Sequence, residues 1–282
     1  MISFFRDRTW GLACMSDVVD FYNSIYGNFA AEALGQVRRE AFGEDIGQNS
    51  WLTADECLRF LQWLEPGPDS EVLEVACGSG GPALYMTKMS GCRFTGVDIN
   101  ENGIAAANRS ASEQGLDSRA HFQTVDAGQP LPFEDGRFDC IVCIDAICHL
   151  PGRPSVLADW HRVLKPGGRM LFTDPTVITG LLSNEEISVR SSIGYFLFAP
   201  AGENEKLLRD AGFDLIWRDD VTENTVTVSK RWHDARERLR SELLKIEGEL
   251  TFEGHQRFLS MVHTLSSERR LSRFAFAAKK LG

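Results

Sequence analysis

The sequence predicts an α/β fold: a mostly parallel sheet with helices on both faces, a helical segment before it and helical insertions late in the chain. Three observations predict this. Between residues 71 and 174, short apolar segments alternate with helical stretches. These segments are apolar on both alternations, as strands covered on two faces require. The first of them runs into "ACGSGG", a glycine turn that opens a helix.

Residues 1–68 read as mainly helical. "SDVVDFYNSIYGNFA" places Val18, Val19, Tyr22, Ile25, Tyr26 and Phe29 close to helical spacing. "TADECLRFLQWL" opens with Thr53 and Glu56, a capping-box pattern, and Pro66-Gly67-Pro68 follows it as a breaker. Strands are then expected at "EVLEVAC" (71–77), "RFTGVDI" (93–99), "AHFQTVDA" (120–127), "RFDCIVCIDA" (137–146) and "RMLFTD" (169–174). The helices between them include "GPALYMTKMSG", with Pro82 in its first turn, and "PSVLADWHRVLKPGG", closed by Gly167-Gly168. Beyond Asp174 the alternation pauses in an aromatic stretch. A helix, "NEKLLRDAGF", and a strand, "DLIWRDDVT", follow. Residues 226–268 read as charged helix broken near Gly248, and "RLSRFAFAAKK" as a final strand.

A chain of 282 residues suits one large domain, or one domain with a sizeable insertion. The net charge of −10 argues against broad contact with nucleic acid or anionic membranes. Arg6, Asp7 and Arg8 interrupt what a secretory signal would need as its apolar core, and no apolar run approaches the ~18 residues of a membrane span. A cytoplasmic protein is expected. The seven cysteines, an odd number, suggest reduced thiols. Cys140-x-x-Cys143 sits in a predicted strand, where residues three apart face opposite ways, so no metal site is expected there.

Ligands of such sheets bind beyond the carboxyl ends of the strands. The residues at those ends are Ala76, Cys77 and Gly78, then Asp98, then Asp126 and Ala127, then Asp145. Gly78 and Gly80 allow a tight turn and close backbone approach to a ligand. A carboxylate at Asp98 can accept from two ribose hydroxyls, and one at Asp126 from an exocyclic amine. Plainer readings stand beside these. The glycines can be a turn and nothing more, the aspartates can be helix caps, and Glu74 can be a buried acid that holds the turn's amides. Up to Asp98 the pattern fits a nicotinamide dinucleotide as well as another adenosine cofactor. Glu74 within the first strand, Asp126, and "RVLKPGGRMLFTD" after the fourth strand favour the second.

In order and spacing, "VLEVACGSGG", "GVDI", "VDAGQPLPF", "FDCIVCIDAICHLP" and "HRVLKPGGRMLFTDP" resemble the motifs of the Rossmann-like S-adenosylmethionine-dependent methyltransferases. The resemblance covers residues 70–175 well. It implies a seven-stranded sheet ending in an antiparallel hairpin, with S-adenosyl-L-methionine as cofactor. Glu74, Ala76, Cys77, Gly78 and Gly80 would border the methionine part, together with Cys143 and Ile144. Asp98 would take the ribose, and Ile99, Asp126 and Ala127 the adenine. Residues 1–68 would be a helical lid and substrate segment, 69–175 the cofactor-binding core, and 176–282 the rest of the core with cap insertions.

Within the family, "CIDAICHLP" is most similar to the sarcosine/dimethylglycine and phosphoethanolamine enzymes. These carry Asp-x-x-x-His here, matched by Asp145 and His149, and "TDP" after the fifth strand. In the phosphobase enzymes an upstream tyrosine works with the histidine. "GLACMS" holds none, which leaves Tyr22 or Tyr26 to stand in. His149 is expected either as a base or substrate orienter, or as a residue that orders its loop. Trp51, Tyr195, Phe198 and Trp232, among other aromatics, are expected either to line an acceptor pocket or to pack as core. Methyl transfer to a nitrogen, oxygen or carbon of a small molecule is the leading expectation. An NAD(P)-dependent oxidoreductase and a non-catalytic cofactor-binding protein are the alternatives.

Overall fold

The computed structural model of the chain describes residues 22–281. The readings placed on Arg6, Asp7 and Arg8, on "GLACMS", and on Val18 and Val19 lie outside the described residues. Residues 22–27 are helical, and α1 (Glu32–Phe42) and α2 (Ala54–Leu64) follow. The alternating part runs β1 (Glu71–Val75), α3 (Gly81–Ser90), β2 (Arg93–Asp98), α4 (Glu101–Glu113), β3 (Ala120–Thr124), β4 (Phe138–Cys143), α5 (Arg153–Val163) and β5 (Leu164–Ile178). Then come α6 (Asn184–Arg190), the two-residue β6 (Ala199–Pro200), α7 (Glu203–Asp210) and β7 (Phe213–Asp220). The cap helices α8 (Thr222–Arg238) and α9 (Arg240–Ser267) precede β8 (Leu271–Lys280).

The strands form one sheet in the order β3-β2-β1-β4-β5-β8-β7, with β6 added beside β5. Strands β1 to β6 pair in parallel, whereas β8 is antiparallel to both β5 and β7. The mostly parallel sheet with its antiparallel end is therefore present as expected. The antiparallel strands β7 and β8 do not form the expected hairpin, because α8 and α9 intervene between them.

Period-two alternation divides the core between the two faces of the sheet. Leu73, Val75, Ile141, Phe172 and Phe276 pack on one face with Trp160 of α5. Val72, Cys140, Val142, Leu171 and Ala275 pack on the other with Phe60 of α2. Cys140 and Cys143 thus face opposite ways. A third cluster, with Phe42, Trp51, Trp232, Phe252 and Phe258, joins α1 to the cap.

Local differences from the sequence reading have physical causes. The helix before "KPGG" stops at Val163 rather than at the glycines, because Leu164 already pairs with Phe138 of β4. Thr53 caps α2 by accepting from the Glu56 amide at 3.3 Å, but the Glu56 carboxylate is drawn to Arg273 instead of closing the capping box. Gly248 breaks the helical geometry within α9, as expected. Among the described residues no helix is long and apolar enough to cross a membrane.

Candidate active site at the carboxyl ends of the strands

The β1–α3 turn is wound by left-handed residues. Ala76 (φ 55°), Gly78 (φ 54°) and Gly80 (φ 73°) all have positive φ. For Ala76, which has a Cβ, that conformation is a strain held by its surroundings. The Cys77 amide donates to Val97 O at 3.0 Å, and the Gly80 amide to Cys77 O at 2.9 Å. A side chain at Gly80 would strike Ala107 and Phe122 at 2.8 Å, so the turn sits directly on α4 and β3.

Asp98 ties this turn to the end of β2. It accepts from the Gly78 amide through Oδ2 and from the Asn100 amide through Oδ1, both at 2.8 Å. Burial raises its pKa, against the pull of those amides. Ile99 beside it is 56% exposed, an apolar side chain left at the mouth of the sheet. Asp126 is exposed and turns back to accept from the Gly128 amide at 2.9 Å, with Ala127 buried next to it. Glu74, Cys143 and Ile144 are buried below the turn. The Ala83 amide of α3 donates to the Glu74 carboxyl, and burial pushes that carboxyl up to about 8.

Over the turn lies the helix of residues 22–27. A Cβ at Gly78 would fall 2.4 Å from the Tyr26 hydroxyl, so Tyr26 stands against the glycine. Tyr22 stacks on Tyr26 with ring centroids 6.2 Å apart and reaches His149, its hydroxyl 3.4 Å from Nε2. His149 Nδ1 lies 2.7 Å from the Tyr195 carbonyl. A carbonyl only accepts, so Nδ1 carries the proton and Nε2 presents its lone pair toward Tyr22. Burial, with the charge of Arg190 beside it, holds the imidazole pKa down to about 4, against the pull of the Tyr195 carbonyl.

Asp145, by contrast, is committed within the protein. At φ 54° it leaves β4 in the left-handed region. Oδ1 accepts from Thr173 Oγ1 at 2.7 Å and from Arg273 Nε at 2.6 Å, and Oδ2 accepts from the Trp51 amide at 2.9 Å. Arg273 also holds both Glu56 oxygens, at 2.9 and 2.7 Å. Burial opposes this guanidinium's charge, yet Asp145 and Glu56 together raise its pKa.

A cavity opens beside His149, with Tyr22, Asp145, Trp51 and Trp232 among its walls. Trp51 stacks on Phe258 at 6.5 Å and meets Trp232 edge-on at 6.0 Å. Tyr195 contributes its carbonyl to His149 and is itself 46% exposed. Phe198 is not among the lining residues; Phe196, 4.3 Å from the His149 ring, takes that place. From sequence, Arg190, Phe258 and Arg273 carried no expectation, and Glu56 only that of a capping box. The signal for the first lay in "SVRSSIGYF", a lone arginine beside an aromatic run.

This strand order, the glycine turn bound to an acid at the end of β2, and the antiparallel β8 define the class I S-adenosylmethionine-dependent methyltransferase fold. More narrowly, residues 72–168 match the family described as a methyltransferase domain. The chain is 32% identical over 198 residues to the sarcosine/dimethylglycine N-methyltransferase of Halorhodospira halochloris, covering 67% of this chain and 64% of that protein. It spans about half to just under two thirds of the length of the first curated relatives it matches. Among solved structures, Haemonchus contortus phosphoethanolamine N-methyltransferase 2, in complex with phosphomonomethylethanolamine and S-adenosylhomocysteine, superposes with TM-score 0.77 at 21% identity, over 93% of this chain and 60% of that one. The [4+2]-cyclase SpnF superposes with TM-score 0.76 at 20% identity, over 95% of this chain and 98% of that one.

Proposed function

We propose that this chain transfers the methyl group of S-adenosyl-L-methionine to a nitrogen, oxygen or carbon of a small-molecule acceptor. The Gly78 turn locked to Asp98, with Tyr26 against the glycine and Tyr22 in the wall of the His149 cavity, is the observation that carries this reading. The residues suit the cofactor. Asp98 has its carboxylate at the ribose position, and exposed Ile99 offers an apolar face to adenine, with Asp126 and Ala127 at the adenine edge. Glu74, Ala76, Cys77, Gly78, Gly80, Cys143 and Ile144 border the methionine part. The cofactor supplies a methyl group already activated for displacement. The protein's task is to align the acceptor and exclude water.

The lid residues Tyr22 and Tyr26 and the aromatic cavity wall serve both ends. Trp51 and Trp232 shape the acceptor's seat, while Tyr195 and Phe198 lie outside its lining. His149 takes the acceptor's proton at Nε2 or orients the acceptor through Tyr22. Asp145 acts as a positioning residue, holding Trp51 and the end of β4 in place. The buried free thiols fit the reducing cytoplasm.

The relatives' activities support methyl transfer, and the likeness to a cyclase makes the test necessary. Calorimetry with adenosylhomocysteine and with NAD is the first step. Binding of NAD alone overturns the reading in favour of an oxidoreductase. A mass-spectrometric screen for methyl transfer to amines, phenols and carboxylates is the second. Adenosylhomocysteine binding without transfer to any acceptor favours a non-catalytic or cyclase-like protein.

A further inference from the structure

Arg190, the last residue of α6, lies in the wall of the His149 cavity and is 1% exposed. Its Nε and Nη1 have no hydrogen-bond partner among the described residues. Its guanidinium lies 4.4 Å from the centre of the Phe196 ring and 5.0 Å from that of Phe258. The nearby carboxylates are already used. Asp145 belongs to Arg273, and Asp174 accepts from Arg153 at 2.7 Å and from Asn204 at 2.9 Å.

Every other deeply buried arginine near the site has a carboxylate partner: Arg153 has Asp174, and Arg273 has Asp145 and Glu56. A guanidinium taken from water without a partner carries a large desolvation penalty. Stacking on two aromatic rings returns only part of it. The in-plane N–H groups, which the rings do not satisfy, match the geometry of a carboxylate or phosphate. The rest of the wall near Arg190 is apolar, with Ile193, Phe196, Phe258 and Leu259.

We infer that the methyl acceptor is an anion with an apolar body, whose carboxylate or phosphate oxygens pair with Arg190 while the body lies against these apolar walls. This rests on the methyltransferase reading. Two molecules can bring an oxyanion to the site: the acceptor, or the amino-acid end of the cofactor. The acceptor fits better, because Arg190 shares its cavity with His149 and the aromatic walls, and the lining does not include the glycine turn.

The test is calorimetry on the full chain saturated with adenosylhomocysteine. The probes are phenylacetate, phenyl phosphate and the neutral phenylacetamide, applied to the wild type, Arg190→Met and Arg190→Lys. The wild type is expected to bind one of the anions at least ~10-fold more tightly than the amide, as for a charge-assisted bidentate pair. Arg190→Met loses that preference, Arg190→Lys keeps part of it, and all three bind adenosylhomocysteine equally. Equal binding of anion and amide by the wild type overturns the inference. So does a ~10-fold loss of adenosylhomocysteine affinity in Arg190→Met with the anion preference intact, which would assign Arg190 to the cofactor. If Arg190→Met does not fold, the wild type and Arg190→Lys decide. Failure of the wild type to bind adenosylhomocysteine defeats the methyltransferase reading itself, whereas binding without anion preference defeats only this inference.

Discussion

Arg273 Nε donates to Asp145 Oδ1 at 2.6 Å across 128 positions of sequence, joining the last strand to the end of β4. The same guanidinium grips Glu56 of α2, so one side chain holds three elements around the candidate site. Arg273→Met leaves two carboxylates buried without their cation. A loss of about 3–5 kcal/mol in denaturant unfolding is expected. Adding Asp145→Asn and Glu56→Gln to Arg273→Met removes both stranded charges and should return much of that loss. Failure to recover any would show that the packing of the arginine stem, not its charge, is what matters.

Asp98→Ala should weaken adenosylhomocysteine binding by about 2–4 kcal/mol, the range for a lost charge-assisted hydrogen-bond pair. The variant also frees the Gly78 and Asn100 amides, so the turn should show faster amide exchange. An unchanged affinity in calorimetry would remove Asp98 from the cofactor site.

Gly78→Ala meets two obstacles. A φ of 54° disfavours any L side chain by about 1–2 kcal/mol, and the new Cβ would lie 2.4 Å from the Tyr26 hydroxyl. Gly78→Ala should therefore melt at lower temperature than the wild type. Gly78→Ala with Tyr26→Ala should recover the part due to contact and not the part due to φ. If the single and double variants melt alike, the contact with Tyr26 contributes nothing.

His149 gives a pH dependence of defined sign. Its folded pKa, about 4, is below the ordinary 6.5. The unfolded chain therefore binds the extra proton first. The contribution is present above pH 6.5 and is lost as pH falls toward 4, to about 2–3 kcal/mol. Urea unfolding of wild type and His149→Asn across that window should diverge, with the variant flatter. The turnover of an identified acceptor should show no inflection near 6.5 from this residue.

Glu74 works in the opposite sense. Its carboxyl is raised from 4.5 to about 8 by burial, so the folded state keeps a proton that the unfolded chain releases. That contribution is present below pH 4.5 and is lost as pH rises toward 8. Glu74→Gln, which cannot ionise, should match the wild type near pH 4.5 and exceed its stability near pH 8. Parallel stability curves for the two proteins would mean that Glu74 is ionised in the fold.

The parts of this molecule written in local periodicity were legible from sequence. Strands β1 to β4, the glycine turn and the acid at the end of β2 all follow from spacing over a few residues. The polar framework did not. Arg273 meets Glu56 across 217 positions, and nothing local distinguishes a buried arginine from a solvated one. Phe196 and Phe198 lie in an irregular stretch without period, so their order of importance depends on the α6–α9 packing. Asp145 stood out as an acid at a strand end, but only its partners show that both of its oxygens are taken.

The place of β8 has a consequence for how the molecule comes into being. The strand lies between β5 and β7, yet about 90 residues separate it from the end of β5. A ribosome needs roughly 5–20 s to make that length. During that interval the half-sheet through β5 can assemble its nucleotide end, while β5 keeps an open edge. Asp145 meanwhile waits for its cation. The two halves of the site thus mature at different times, and the acceptor side closes last.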